Sequence, residues 1–341
     1  MKIGVHFLFA AVIAVCIAGC SATPVAGQKI DGVSFVSSKD TLTQSHIDPI
    51  IQVGASHAAV MPFAFVRDKN HPELQFNSER QWFGERYTGV KQYIEALHQN
   101  NIKVMVKPHI WIWRGVFTGD MQMDSEADWA LFEKSYEDYI MLYAALAEET
   151  HAEIFCIGTE LYNFTKERPQ FWASLIKNVR TVYSGKLTYA ENWDKVDKVS
   201  FWGALDFIGA DAYFPVAEGV TPTVIEAKTG WMPHKELLLS LSRKYNRPVL
   251  FTEFGYRSAD FAGKAPWESE RHDGAMNAKA QANLYEAIFE TFWQEDWFAG
   301  GFAWKWFHDH ERAIQQQNNR FTPQGKEAAQ ILKNWYQKDV K

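Results

Sequence analysis

The 341-residue sequence has only three cysteines, no block of basic residues and no glycine-rich nucleotide loop. A net charge of −6 without a basic stripe argues against nucleic-acid binding. The first predicted strand leads into SFVSSKD instead of a G-x-G-x-x-G turn, which argues against a doubly wound, dinucleotide-binding sheet. With 47% apolar residues and no low-complexity stretch after residue 28, the chain is expected to form one large core.

The N-terminus has the pattern of an export signal. Lys2 precedes the apolar stretch FLFAAVIAVCI, which is too short to span a membrane as a stable helix. The following tetrapeptide IAGC (17–20) resembles the bacterial lipoprotein signal, in which cleavage precedes a cysteine that then carries lipid. A plain secretory signal, cut near Ala18 or Ala22, is the alternative.

The lipoprotein interpretation assigns each cysteine. We expect a signal peptide over residues 1–19, a flexible tether over 20–28 and a folded domain over 29–341. The protein is then exported and held at the bacterial cell envelope, at the outer membrane, through lipid on Cys20 alone. Only Cys156 remains within the folded domain, which excludes an intramolecular disulfide, and its apolar surroundings predict a buried, inert thiol.

Short apolar runs alternate with amphipathic stretches along the rest of the chain. Strands are predicted over 29–35, 57–66, 102–113, 153–161, 186–193, 205–214, 248–256 and 298–307. Helices are predicted over 87–101, 124–150, 169–183, 234–246, 278–295 and 322–338. Eight strands that alternate mostly with helices predict an α/β fold, a single-domain (β/α)8 TIM barrel with some long loops.

Polar and aromatic side chains follow most of these strands. The ends of predicted strands three to eight carry Lys107, His109, Trp111, Glu160, Glu191, Asn192, Trp193, Asp211, Tyr213, Glu253, Trp304 and Trp306. In a TIM barrel the C-terminal strand ends surround the active site, so these side chains are the candidate functional set.

Glu160 and Glu253 are the pair of greatest interest in that set. Each follows or ends a buried strand, and the fourth and seventh strands lie across the barrel mouth from one another. Two facing carboxyl groups, one protonated and one ionised, suit a retaining glycosidase. The structural alternative is that each glutamate only pairs with a Lys or Arg.

Five motifs, in chain order, carry a family resemblance. KPHIW, IGTEL, LTYAENW, DFIGADAYFP and TEFGY resemble the family 113 β-mannanases of glycoside hydrolase clan A, over nearly all of residues 29–338. The resemblance implies a retaining β-glycoside hydrolase that acts on β-1,4-mannan or manno-oligosaccharides without a cofactor. It makes Glu160 the acid/base and Glu253 the nucleophile. Most clan members have Asn before the acid/base, whereas this sequence has Thr159, and Asn192 is the candidate to replace that contact with the sugar.

The other strand-end residues are interpreted as a sugar site. Lys107 and His109 are expected to donate to sugar hydroxyls, and Glu191 and Asp211 either bind sugar or pair with those cations. Tyr213 either holds Glu253 ionised or is a core tyrosine. Trp111, Trp113, Trp193, Trp304 and Trp306 are the candidate stacking residues, and only one of Trp304 and Trp306 is expected to face the lumen. Asp206 is expected at the buried base of the sixth strand.

Three other functions share some of these features. A hydrolase of another β-linked glycan, glucan or xylan, has the same carboxylate pair. A non-catalytic, surface glycan-binding lipoprotein has the same aromatic residues but does not need the second carboxylate. A metal hydrolase would use His308-Asp309-His310-Glu311, but this cluster follows strand eight, so it is interpreted as a polar loop and no metal is expected.

Overall fold

The computed structural model describes residues 28–268, 275–316 and 318–338. The expected signal peptide, Cys20 and residues 21–27 of the expected tether therefore lie outside the described residues. The described strands are β1 Ile30–Phe35, β2 His57–Val60, β3 Phe63–Val66, β4 Gln75–Phe76, β5 Lys103–Val106, β6 His109–Ile112, β7 Ile154–Thr159, β8 Lys186–Asn192, β9 Ile208–Asp211, β10 Val249–Phe254 and β11 Phe298–Trp306. The described α-helices are α1 Gln44–Val53, α2 Tyr87–His98, α3 Glu126–Glu149, α4 Tyr162–Glu167, α5 Pro169–Val182, α6 Val224–Tyr245, α7 Ala278–Phe292, α8 His310–Gln315 and α9 Glu327–Tyr336.

Eight of these strands form a closed parallel barrel in the order β1-β11-β10-β9-β8-β7-β5-β2. This order confirms the predicted single-domain TIM barrel. A small buried cluster drawn from seven of the strands is separate from the large core that also includes the helices. Its members are Ile30, Ala59, Met105, Ile154, Cys156, Ala190, Leu250 and Phe302. Such a cluster is the layered filling expected inside a barrel, and it leaves the C-terminal mouth for polar groups.

The predicted second and third strands each divide into two strands at a proline. The chain leaves the barrel at Pro62, between β2 and β3, and at Pro108, between β5 and β6. Proline has no N–H group to donate to a strand ladder, so each barrel strand stops there. The outgoing strands β3 and β6 pair in parallel, and β4 joins them to complete a three-stranded sheet in the order β4-β3-β6.

Helix boundaries follow local capping chemistry more closely than hydrophobic spacing. Helix α6 begins at Val224 and not at residue 234, because Thr223 and Glu226 form a capping box and Pro233 is accommodated inside the helix. Helices α1, α4 and α8 and strand β4 were not predicted from the sequence. Among the described residues, no helix combines the length and the apolar character that crossing a membrane requires.

Candidate active site

Glu160 follows directly after β7 in a constrained backbone conformation. Its φ angle is +52°, in the left-handed region that side-chain-bearing residues rarely adopt. Two bonds hold this turn: the Glu160 amide donates to the Ala190 carbonyl at 2.8 Å, and the Leu161 amide donates to the Tyr189 hydroxyl at 2.7 Å. A sparsely populated conformation that is fixed by its neighbours is typical of a functional side chain.

Glu253 belongs to β10 and is held from two sides. Its Oε1 atom accepts from the Lys107 ammonium at 2.5 Å, and its Oε2 atom accepts from the Tyr213 hydroxyl at 2.6 Å. The residue is 5% exposed, so water can supply little of its solvation. Two donors of this kind stabilise the ionised carboxylate and fix its orientation.

Lys107 and Asp211 form a buried ion pair next to Glu253. The Lys107 ammonium donates to Asp211 at 3.1 and 3.2 Å, and Asp211 also accepts from the Thr252 hydroxyl at 2.7 Å. Lys107 is fully buried, so its three hydrogens face protein carboxylates. The expectation that Lys107 donates to sugar hydroxyls is thereby corrected. For Asp211 the structure favours the ion-pair alternative, since it is 1% exposed.

The two glutamates have opposite electrostatic environments. Burial raises the pKa of Glu160 well above its usual range, and the negative charges of Asp211 and Glu253 raise it further. Among the described residues, none donates a hydrogen bond to the Glu160 carboxyl group. Burial would lower the pKa of Lys107, but the charges of Asp211 and Glu253 outweigh it and raise that pKa. The Glu160 carboxyl group therefore favours its protonated form, whereas the Glu253 carboxyl group accepts hydrogen bonds from Lys107 and Tyr213.

His109 and Trp304 lie beside Glu253. The His109 Nε2 atom is 3.8 Å from the Glu253 Oε1 atom, which is too long for a hydrogen bond. Burial, and then the Lys107 charge, hold the pKa of His109 well below its usual range, so the ring is neutral and forms no ion pair. Its Nε2 atom is buried without a partner in the described structure, and its ring stacks on Trp304 at 6.4 Å. A buried nitrogen beside Glu253 that has no partner among the described residues keeps His109 as a candidate for contact with a substrate hydroxyl.

Most members of the clan have an asparagine before the acid/base, and neither Thr159 nor Asn192 clearly replaces its contact with the sugar. The Thr159 hydroxyl donates to the Pro108 carbonyl at 3.2 Å. Half-buried Asn192 uses its side-chain oxygen to accept from the Trp193 amide at 2.9 Å. Its amide nitrogen has no hydrogen bond within the described structure, so Asn192 remains a candidate for sugar contact.

Glu191 is fully buried beneath this region. Its carboxyl group accepts from the Tyr189 hydroxyl at 3.2 Å and from the Asn192 amide at 2.9 Å. Burial raises the pKa of Glu191 to about 8. The side chain is hydrogen-bonded inside the protein, which favours a structural role over direct contact with sugar.

The predicted stacking residues separate into distinct groups. Trp306 is 2% exposed and stacks on His310 at 5.7 Å, so its expected substrate contact is corrected to a core role, and Trp304 is the tryptophan on the lumen side. Half-buried Trp193 stacks on Trp267 at 5.1 Å. Trp111 is exposed on β6 of the three-stranded sheet outside the barrel, and Trp113, also exposed, follows that strand.

Sequence reasoning missed Trp267 and Lys305 as residues near the mouth. Trp267 lies in the loop after β10 and is 44% exposed, so an aromatic residue in that loop was the available signal. Lys305 covers the rings of Trp304 and Phe307 at 5.3 Å, and burial lowers its pKa. Asp206, expected at a buried strand base, is only half-buried and pairs with Arg180 at 2.6 Å.

The histidines after β11 do not converge. His308 bonds to Asp40 at 3.1 Å, whereas the His310 Nδ1 atom contacts Gln324 at 2.9 Å. In the part of the chain that the structure describes, no group of three His, Cys, Asp or Glu side chains is placed to hold a metal ion.

The barrel fold and the residues at its C-terminal mouth together indicate the class of protein. A closed (β/α)8 barrel with one glutamate at the end of its fourth strand and another at the end of its seventh is an arrangement found in glycoside hydrolases. The sequence profile of Glycoside Hydrolase Family 113 matches residues 37–326. The chain therefore belongs to Glycoside Hydrolase Family 113.

Solved structures agree in fold. The GH113 β-mannanase AaManA from Alicyclobacillus acidocaldarius, in complex with ManMIm, superposes with a TM-score of 0.79 at 24% identity, covering 90% of this chain and 97% of that one. A complex of a GH113 β-1,4-mannanase gives a TM-score of 0.79 at 24% identity, covering 92% and 100%. The β-glucuronidase of Ruminococcus gnavus gives 0.62 at 13% identity, covering 90% of this chain and 50% of that one. No curated protein matches the chain significantly.

Proposed function

We propose that this protein is a retaining β-mannanase that hydrolyses β-1,4-mannan or manno-oligosaccharides, with Glu160 as acid/base and Glu253 as nucleophile. The contrast between the two carboxyl groups is the observation that carries the proposal. Glu253 is bound by Lys107 and Tyr213, whereas burial and neighbouring charges raise the pKa of Glu160. Membership of the family and likeness in fold to structures described as β-mannanases support the choice of substrate.

Two displacements at the anomeric carbon make up the reaction. First, an oxygen of Glu253 bonds to the anomeric carbon while the glycosidic C–O bond breaks, and Glu160 gives its proton to the leaving oxygen. Ionised Glu160 then takes a proton from water. The water oxygen bonds to the anomeric carbon as the bond to Glu253 breaks, and two inversions give net retention.

Lys107 and Tyr213 position the nucleophile in this scheme. As Glu253 forms the glycosyl ester, its negative charge is lost, and the ammonium still has Asp211 as a partner. Burial, and then the charge of Glu253, raise the pKa of Tyr213 well above its usual range, so it remains a donor at all working pH values. Both contacts keep the attacking oxygen oriented toward the mouth.

Variants at the two glutamates test the roles. We expect Glu253→Gln to abolish turnover while leaving polysaccharide binding in place. Glu160→Gln should still form the glycosyl-enzyme from aryl glycosides, whose leaving groups need no proton, but should release it slowly because no base activates the water. A fluorinated mannosyl inhibitor followed by peptide mapping should label Glu253, and labelling elsewhere would refute the assignment. Retained turnover in Glu253→Gln would overturn the mechanism.

Substrate choice is tested separately from the mechanism. A screen of mannan, glucan, xylan and their short oligosaccharides should give the highest kcat/KM on the mannose polymers. Preference for glucan or xylan would keep the mechanism and replace the substrate. Binding without hydrolysis in the wild-type protein would favour the non-catalytic glycan-binding alternative.

We also propose that the protein is exported and lipid-anchored through Cys20 after removal of residues 1–19, with 20–28 as a tether. The IAGC sequence after an apolar stretch supports this. In a bacterial host, labelled palmitate should be incorporated into the wild-type chain but not into Cys20→Ala. Fractionation should place the labelled protein in the outer membrane. Equal labelling of both chains would refute the site.

A further inference from the structure

The three-stranded sheet outside the barrel has one aromatic face. Along β3 and β6, residues Ala64, Val66, Ile110 and Ile112 are buried. The alternate positions form the other face, where Phe63 pairs with His109 and Phe65 pairs with Trp111. Trp113 follows β6 directly. We name this set, Phe63, Phe65, His109, Trp111 and Trp113, the aromatic strip.

The inner end of the aromatic strip lies at the catalytic centre. His109 is 3.8 Å from Glu253, and its ring is 5.2 Å from that of Phe63, which in turn is 6.2 Å from that of Phe65. The strip is therefore continuous with the site, and four residues of extended chain from His109 carry it roughly 13 Å outward. An oligosaccharide covers such a span, whereas one sugar ring does not.

The outer end of the strip is open to solvent. Trp111 is 48% exposed and Trp113 is 67% exposed, although tryptophans usually bury most of their surface. They line a surface depression of about 390 Å³ together with Phe65, Val66, Arg67 and Gln75. Grouped exposed aromatic residues around a concave surface mark a binding site.

The residues that line the depression indicate which class of ligand it binds. Flat aromatic faces suit the apolar faces of sugar rings, and the Gln75 amide offers both a donor and an acceptor to hydroxyls. The Arg67 charge is balanced by Asp68 at 2.9 Å, so the surface does not call for an acidic ligand. A neutral β-linked glycan chain fits these properties and also explains the continuity with the catalytic centre.

We propose that the aromatic strip binds sugar units of the substrate chain beyond those at the cleavage point, with Trp111 and Trp113 as stacking residues. The protein then acts on chains and favours polysaccharide over short oligosaccharides. This inference rests on the proposed function for the identity of the glycan. It goes further by assigning a site and a preference for long substrates.

The test compares long and short substrates in the full-length protein. We would measure kcat/KM for soluble β-1,4-mannan and for an aryl β-mannobioside in wild type, Trp111→Ala, Trp113→Ala and the double variant. The expected result is that the ratio of the two constants falls about tenfold in Trp111→Ala and further in the double variant, through KM on mannan. Trp111→Phe keeps a ring and should recover most of the ratio.

A matched surface variant controls for general effects. Leu131→Ala removes an exposed apolar side chain, 53% exposed on α3, and should leave both constants unchanged. Thermal unfolding of each variant checks that the fold is kept, as expected for exposed positions. An unchanged ratio in the double tryptophan variant overturns the proposal.

A binding measurement separates this proposal from the proposed function. Glu253→Gln protein, with and without the tryptophan substitutions, would be run through native gels that contain mannan, glucan or xylan. If substitution of both tryptophans removes the retardation, the aromatic strip binds the glycan. This result would support the strip even if the wild-type protein hydrolysed none of these glycans and the proposed function failed. The proposal for the aromatic strip is overturned if Glu253→Gln is retarded equally with and without the tryptophan substitutions, or if Glu253→Gln itself is not retarded.

Discussion

The Nζ atom of Lys107 lies 2.5 Å from the Oε1 atom of Glu253, and Lys107 is fully buried. The same ammonium also donates to Asp211. One cation therefore pairs with two acidic side chains from the neighbouring strands β9 and β10, and Glu253, the proposed nucleophile, is held by a cation that has no contact with solvent.

Lys107→Met should destabilise the protein and lower its kcat. Its removal leaves two buried carboxyl groups without a cation, which costs about 3–5 kcal/mol of unfolding free energy. Without the ammonium, Glu253 loses the donor that fixes its Oε1 atom, so kcat should fall. Denaturant unfolding and steady-state kinetics measure the two effects. Lys134→Met breaks an exposed pair on α3 and should change neither; equal behaviour of the two variants would contradict the role of Lys107.

Tyr213→Phe should lower kcat about 10–100-fold with little change in KM. The substitution removes the 2.6 Å hydrogen bond to Glu253, and a bond to a charged group is worth about 1.5–3 kcal/mol. Steady-state kinetics on mannan give both constants. Tyr183→Phe removes a hydroxyl that bonds the Ala152 carbonyl at 2.7 Å, so it should affect stability alone. Wild-type kcat in Tyr213→Phe would exclude the positioning role.

The alkaline limb of kcat/KM should report Glu160. Because burial and the charges of Asp211 and Glu253 raise its pKa, the protonated, active form persists to pH values above the usual carboxyl range. Asp211→Asn removes one of these charges, so the limb should move to lower pH. Asp206→Asn, half-buried and paired with Arg180, is the comparison and should leave the limb in place. A limb that does not move in Asp211→Asn would argue against Glu160 as the titrating group.

Glu191→Gln should stabilise the protein most at alkaline pH. Burial raises the folded-state pKa of Glu191 from 4.5 to about 8. A raised pKa contributes stability below the unfolded value, and this contribution is lost as the pH rises through that window. Glutamine mimics the protonated carboxyl group, so the gain over wild type should be small at pH 4 and on the order of a few kcal/mol above pH 8. Unfolding curves of both proteins from pH 4 to above pH 8 test this. A difference in unfolding free energy that shrinks as the pH rises would contradict the prediction.

The barrel, and the positions of Glu160 and Glu253 at the ends of two of its strands, were predictable from the sequence for local reasons. Each barrel strand is an apolar run, and an ionisable side chain at the end of such a run is costly to remove from water. The connection of Lys107 to Glu253 was not predictable, because 146 residues separate them and only the ring of strands brings them together. The core role of Trp306 was not predictable, because residues two apart share one face of a regular strand, whereas the pairing of β11 with β1 is irregular between Ala303 and Trp306.

The three-stranded sheet was missed because β2 and β3, and likewise β5 and β6, read as continuous apolar runs. A proline in each run was the available signal. Helix α6 was predicted ten residues too short, because the predicted helix began after Pro233 although the capping box lies ten residues upstream. In all three cases proline marks a change, but only tertiary contacts decide whether the chain turns or continues.

Pro62 and Pro108 divide each of two segments into a barrel part and an outer part, and the hydrogen bond from the His109 amide to the Pro62 carbonyl at 2.9 Å ties these junctions together. The outer sheet is thus anchored where both segments leave the barrel, and its inner residues Ala64, Val66, Ile110 and Ile112 belong to the main hydrophobic core. Only its outer face can therefore vary in sequence without disturbing the packing that supports the barrel.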